Sequence, residues 1–179
     1  MQATHIAADQ RYETYRQMVR DSVKNALPYP DSHAITFSGL DSRALNQAKL
    51  WDNIPERLVD FNWERDTRTY RRMYPKRFEI AIWYHNRLES LSLGRPSFNG
   101  NRVRLELIER IASHSMLKGR AFAITELALI AYANLLGAEE IRIMSPINED
   151  VKKYYISKGY KYVASTGAKD FPDYCVKQL

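Results

Sequence analysis

The chain has 179 residues and a single cysteine, Cys175, so it forms no internal disulfide and suits a reducing compartment such as the cytoplasm. Cys175 lies between Tyr174 and Val176 in what reads as a C-terminal strand, a packing position rather than a nucleophile's. Glycine is scarce, with seven residues in all. No apolar run approaches the roughly 18–20 residues that cross a bilayer. The opening MQATHIAADQRYETYRQMVRD lacks an apolar stretch, so a secretory signal is not expected. Asp9, Glu13 and Asp21 among its basic residues argue against a mitochondrial targeting sequence. No His/Cys/carboxylate set has ligand spacing, so no metal is expected. Repeats, low-complexity tracts and linkers are absent, which predicts one domain over 1–179.

A hydrophobic content of 45% with a mean hydropathy of −0.50 describes a globular chain with a respectable core. Twenty-seven basic residues against 21 acidic ones give a net charge of +6. This excess attracts anionic partners but is modest enough for an ordinary small enzyme. It is concentrated in residues 57–77, RLVDFNWERDTRTYRRMYPKR, with seven Arg/Lys against three acids. That segment reads either as a solvated helix face or as a surface for phosphate or nucleic acid.

Tyr12, Tyr15, Val19 and Val23 predict a helix over Asp9–Leu27, broken by Pro28 and Pro30. A first strand is expected in 33–39. A helix capped by Asp41 or Ser42 follows and runs to Pro55, and one capped by Asn62 runs to Pro75. Residues 77–84 alternate, His85-Asn86 makes a tight turn, and 87–94 alternate again, which predicts a hairpin. Gly94, Pro96 and Asn99-Gly100-Asn101 mark a second turn. Residues 102–108 form a third strand with Val103, Leu105 and Leu107 on one face.

Residues 118–160 then read as a short loop, a helix ending at Gly137, a strand, a Pro-Ile-Asn turn, and a helix closing on Tyr154-Tyr155 and Gly159-Tyr160. Ile124, Leu127, Ala128, Ala131 and Leu135 form the first helix's apolar stripe. Strands follow near 160–165 and 172–178. A loop-to-helix junction presents free N–H groups and a positive dipole end, which suits a phosphate. A tyrosine on the next helix is placed to supply a phenolic proton to the same cleft. The combination points to transfer chemistry on a phosphate-bearing co-substrate.

This order and these residues resemble the GCN5-related N-acetyltransferase (GNAT) superfamily, most strongly over 77–165, with 1–30 as a helical extension. The resemblance implies an α/β (α+β) fold with a mixed, mostly antiparallel central sheet flanked by helices. It also implies an acyltransferase that moves an acetyl group from acetyl-CoA to an amine by direct attack. The superfamily's Q/R-x-x-G-x-G/A signature, whose N–H groups bind the pyrophosphate of acetyl-CoA, falls on Lys118-Gly119-Arg120-Ala121-Phe122-Ala123. Ala121 stands where the signature has glycine. Alanine keeps the N–H and favours helix; the anion site survives if residue 121 is right-handed helical, whereas a positive φ would cost about 1 kcal/mol or more. Lys118 and Arg120 would add charge-assisted contacts.

Asn148 matches the superfamily position that contacts pantetheine or caps the last helix. Tyr155 matches the general acid that protonates the leaving thiolate, a transfer suited to a phenol of pKa about 10 and a thiol of about 8.5. Tyr154 is its neighbour, roughly 100° away around the helix, so one of the two is expected in the core and the other in the cleft. Glu109, near the end of the fourth strand of the superfamily pattern, is the expected general base. Glu106 points to the opposite face if the strand is regular, and His114 is a rival.

The acceptor is an amine on a small molecule or protein, taken up by the N-terminal helices and the loops beside the cleft. Those elements carry Trp51, Trp63, Tyr70 and the basic segment. RNA held through residues 65–77, as an aminoacyl-tRNA acceptor of a toxin-like enzyme, is therefore an alternative. A further one, raised by Ala121, is a GNAT-shaped binding protein with an impaired cofactor loop. No membrane partner is expected, and monomer and homodimer are both open.

Overall fold

The computed structural model describes residues 2–167 and 172–179. In chain order the elements are α1 (Gln2–Ala26), α2 (Asp31–Ala34), β1 (Ile35–Ser38), α3 (Ser42–Ala48), a 3₁₀ turn (Lys49–Asn53) and α4 (Trp63–Met73). The hairpin strands β2 (Phe78–Tyr84) and β3 (Arg87–Pro96) follow, then β4 (Arg102–Arg110) and α5 (Ala121–Leu136). The chain closes with β5 (Glu140–Met144), α6 (Glu149–Ser157), β6 (Lys161–Val163) and β7 (Tyr174–Gln178). One seven-stranded sheet runs β1-β2-β3-β4-β5-β7-β6. Every pairing is antiparallel except β4 with β5, which the α5 crossover makes parallel.

Local chemistry sets the helix ends. Asp41 accepts from Ala44 N–H at 2.8 Å, Asn62 from Arg65 N–H at 2.9 Å, and Asn148 from Val151 N–H at 2.9 Å, each starting a helix as expected. Gly137 ends α5 at φ 70°, a left-handed value open to glycine. Helices cover both sheet faces. On one, Val19 and Val23 of α1 and Ala128, Leu129 and Tyr132 of α5 pack on Phe78, Ile80, Ile82, Val103, Leu105, Ile141 and Ile143. On the other, Ala44, Ala48, Trp51 and Trp63 pack on Ala81, Trp83, Leu88, Leu91 and Leu93.

Several expectations shift. The first helix starts at Gln2 rather than Asp9 and packs against α5, so it is a wall of the domain. A four-residue helix, α2, precedes β1, which begins at Ile35. Gly94 and Pro96 lie inside β3, and the turn is confined to 97–101. Leu127 and Leu135 are 47% and 37% exposed; the buried stripe of α5 is Ala121, Phe122, Ile124, Thr125, Ala128, Leu129, Tyr132 and Ala133. Leu107 does not share a face with Val103 and Leu105, because β4 is not regular.

Candidate active site

β4 and β5 pair only from Arg102–Leu105 against Glu140–Ile143. Across β4's other edge, Gly94 pairs with Leu105 but Leu93 pairs with Leu107, so Glu106 is a bulge residue without a partner. The extra residue reverses the strand's phase. Leu107 turns to the α4 side, and Ile108 returns to the α5 side. Beyond the bulge β4 follows β3 to Arg110, while β5 ends at Met144 and the chain turns through Ser145 at φ 47°. The two parallel strands therefore part, and a cavity of about 520 Å³ fills the opening. It is bounded by Glu106 and Ile108–Arg110, by Met144–Ile147, by the head of α5, by Tyr154 and Tyr155, and by the loop 56–61.

The head of α5 answers the question raised by Ala121. Gly119 takes φ 78°, Arg120 is the N-cap, and Ala121 opens the helix in right-handed conformation. Its methyl belongs to the core; the residue is 4% exposed. Its N–H, like that of Arg120, donates to the Leu117 carbonyl at 2.9 Å. The N–H groups of Phe122 and Ala123 have no intrahelical acceptor and are the donors left for an anion. Arg120 is less available than expected: its guanidinium binds Asp31 at 2.6 Å and the Met116 carbonyl at 3.2 Å. Lys118 is exposed and makes no ion pair among the described residues.

Both tyrosines touch the cavity, but Tyr155 belongs to the buried core while Tyr154 is only half-buried, a division in the expected sense. Their rings pack on Phe122, centroids 5.7 Å away for Tyr154 and 4.8 Å for Tyr155. Tyr155 is 6% exposed; burial, with Cys175 and Tyr154 adding to it, pushes its pKa above the ordinary phenol value. It therefore stays protonated at neutral pH. Asn148 caps α6 with its side-chain oxygen.

Glu109 reaches the cavity and is also engaged elsewhere. It accepts from Arg57 Nε at 2.6 Å, Arg57 Nη2 at 3.0 Å and Trp63 Nε1 at 2.6 Å. Three of a carboxylate's roughly four lone-pair directions are occupied, which leaves one open for a proton from the cavity. As placed, Glu109 lines the cavity and, through Arg57 and Trp63, also anchors the loop 54–62 over it. The bulge also brings Glu106 to the same face as Glu109, against expectation. Glu106 accepts from the Tyr70 hydroxyl and from Arg95 Nε at 3.1 and 3.2 Å. His114 is exposed and lies outside the cavity.

Of the basic segment 57–77, Arg57 lines the cavity, but no residue from 65–77 does. Arg77 is buried against Glu79 and Asp9, and Arg71 binds the Leu40 carbonyl and Glu79. Cys175 is buried in β7, a packing position as expected. Arg57 was visible in the sequence only as one of seven basic residues. Its partner Glu109 lies 52 positions away, a separation that no local pattern encodes. Among the described residues no group of three or more His, Cys, Asp or Glu is placed to hold a metal, and no helix is long and apolar enough to cross a membrane.

No protein-family model matches the sequence, and no curated protein matches it. Solved structures do share its architecture. Ard1 from Thermoplasma volcanium aligns with a TM-score of 0.59 at 10% identity, over 82% of this chain and 98% of that one. The ribosomal-protein-S18-alanine N-acetyltransferase from Escherichia coli aligns at 0.57 and 13% identity, over 81% and 92%. Arabidopsis thaliana Naa50, in complex with the bisubstrate analogue CoA-Ac-MVNAL, aligns at 0.52 and 16%, over 80% and 97%. The chain has the fold of the GNAT acetyltransferases. At these identities the likeness is one of fold.

Proposed function

We propose that the protein is an N-acetyltransferase that moves an acetyl group from acetyl-CoA directly to an amine, with Tyr155 as general acid. The observation that carries this is the parting of β4 and β5 at the Glu106 bulge, which brings the head of α5 and Tyr155 to one cavity. The residues present fit the co-substrate. Gly119, Phe122 and Ala123 offer the turn and free N–H groups for a pyrophosphate, with Lys118 beside them. The β4 edge beyond Leu105 is unpaired on the β5 side, open to the amide groups of a pantetheine arm. Because Ile111 N–H donates to the Glu89 backbone carbonyl on β3, strand alternation turns the N–H groups of Ile108 and Arg110 toward the opening.

When bound, acetyl-CoA supplies a thioester carbonyl to the amine. The N–C bond forms as the C–S bond breaks; β4 N–H groups stabilise charge on the carbonyl oxygen, and Tyr155 gives its proton to the departing sulfur. The amine's proton passes to Glu109 at its remaining lone pair, directly or through water from the open side near 56–59. Burial, which raises the phenol's pKa, makes it a weaker donor in the free site, and desolvation acts in the same sense on a thiolate placed against it. The acceptor is an amine on a small molecule or protein; the basic 65–77 segment, set apart from the cavity, gives RNA no support.

Calorimetric titration with acetyl-CoA tests the reading. Heat of binding and a raised melting temperature are expected, followed by transfer of label from acetyl-CoA into an amine-bearing fraction of cell extract. Silence at millimolar acetyl-CoA would remove the transferase reading. Binding without any labelled product would leave a GNAT-shaped binding protein.

A further inference from the structure

A second buried carboxylate, Glu89, stands beside the cofactor-binding turn, and the transfer step makes no use of it. Glu89 is 0% exposed. Ile82 pairs with Ser90 and Trp83 with Leu88, so Glu89 has no partner on β2 and is the extra residue of a second bulge, in β3. A bulge re-aims a side chain, and this one ends against the segment leading into α5. Oε2 accepts from Ser115 Oγ at 2.7 Å, from Met116 N–H at 2.9 Å and from Leu117 N–H at 3.4 Å. Oε1 is buried without a hydrogen-bond partner among the described residues, with Arg87 Nε 3.5 Å from it.

Arg87 grips the same segment one step earlier, donating to the Ser113 carbonyl at 2.8 Å. Between these two holds, His114 sits at φ 49°, a left-handed value that favours glycine. The contacts then run on in sequence, since the Leu117 carbonyl accepts from the N–H groups of Arg120 and Ala121. A carboxylate is costly to bury unless donors compensate, and here all three of its donors belong to residues 115–117. Glycine-poor as it is, the turn is held in shape from beneath by a side chain.

We propose that Glu89 is a positioning residue for the co-substrate: it fixes residues 115–117, and through Leu117 the head of α5, in the form that receives the pyrophosphate. The inference rests on the acetyl-CoA reading above. Its test compares wild type with Glu89→Met, Glu89→Gln and Ser115→Ala, measuring acetyl-CoA affinity, kcat, KM and amide exchange at 115–123. Glu89→Met is expected to raise Kd and KM for acetyl-CoA about tenfold with kcat nearly unchanged. Exchange at Met116 and Leu117 should speed up in the same variant. Glu89→Gln keeps an acceptor oxygen and should stay within about threefold of wild type.

A Met variant that binds like wild type overturns the proposal. So does one that loses kcat at constant KM, and so does a Gln variant as weak as the Met variant. If Glu89→Met does not fold, Ser115→Ala decides: unchanged KM and unchanged exchange at Met116 reject the role. Failure of the wild type itself to bind acetyl-CoA removes the transferase reading and this inference with it. Failure confined to the predicted differences between variants removes this inference alone.

Discussion

Tyr155 lies against Phe122, Tyr154 and Tyr160, with ring centroids 4.8 to 6.1 Å away. Replacing it with phenylalanine removes one oxygen and leaves that packing in place. If the phenol donates its proton to sulfur, Tyr155→Phe should lower kcat about a hundredfold while KM for acetyl-CoA barely moves. Steady-state kinetics would show it, and an unchanged kcat would take Tyr155 out of the chemistry. Ala121 makes the opposite kind of prediction. Its methyl is in the core, its φ is right-handed, and its N–H is already bonded to Leu117. Restoring the signature glycine should therefore cost about 1 kcal/mol of stability and leave acetyl-CoA affinity within about twofold. Tenfold tighter binding in Ala121→Gly would show that the methyl obstructs the phosphates after all.

At the scale of elements, the site exists because β4 bulges at Glu106, and the bulge depends on a glycine across from it. A Cβ built at Gly94 would come 2.1 Å from the Arg104 carbonyl oxygen and 3.1 Å from Leu105 Cα. Gly94→Ala must push β4 away at the point where it leaves β5. We expect a loss of about 2 kcal/mol, seen as a lower urea midpoint at constant slope, together with weaker acetyl-CoA binding. An unmoved midpoint would mean that the pair relaxes without strain. This element also marks how far the sequence could be read. Caps at Asp41, Asn62 and Asn148, the His85-Asn86 turn and the hairpin were legible because each is written in a few adjacent residues. The bulge was not, because alternation continues on both sides of it and only pairing with β3 reveals the phase change. Glu106 and Glu109 were therefore assigned to opposite faces. The partners of Glu109, Arg57 and Trp63, arrive from 52 and 46 residues away, so no local pattern encodes them.

For the whole molecule, α1 is tied to the sheet by charge as well as by Val19 and Val23. Arg16 binds Asp9 at 3.0 Å and Glu13 at 2.7 Å; Arg77 of the α4–β2 loop binds Asp9 at 2.5 Å and Glu79 at 2.6 Å. Burial alone would raise the pKa of Glu79, but Arg77 and Arg71 outweigh it and hold the carboxyl below its ordinary value. Asp9 is likewise lowered, burial being overcome by Arg77 and then Arg16. Between the folded and unfolded pKa values, the folded state binds fewer protons than the unfolded state. The stabilisation is thus complete above the ordinary carboxylate values of about 4 and is lost as pH falls through the lowered folded ones. The urea midpoint should accordingly hold steady from neutral pH to mildly acid conditions and then drop. Glu79→Gln should start less stable by about 3 kcal/mol, since it removes the buried one of the two carboxylates that pair with the buried Arg77, and should fall less steeply in acid. A wild-type midpoint that stays flat into strong acid, or a Glu79→Gln variant with the wild-type acid slope, would show that α1 is held by its apolar contacts and not by this cluster.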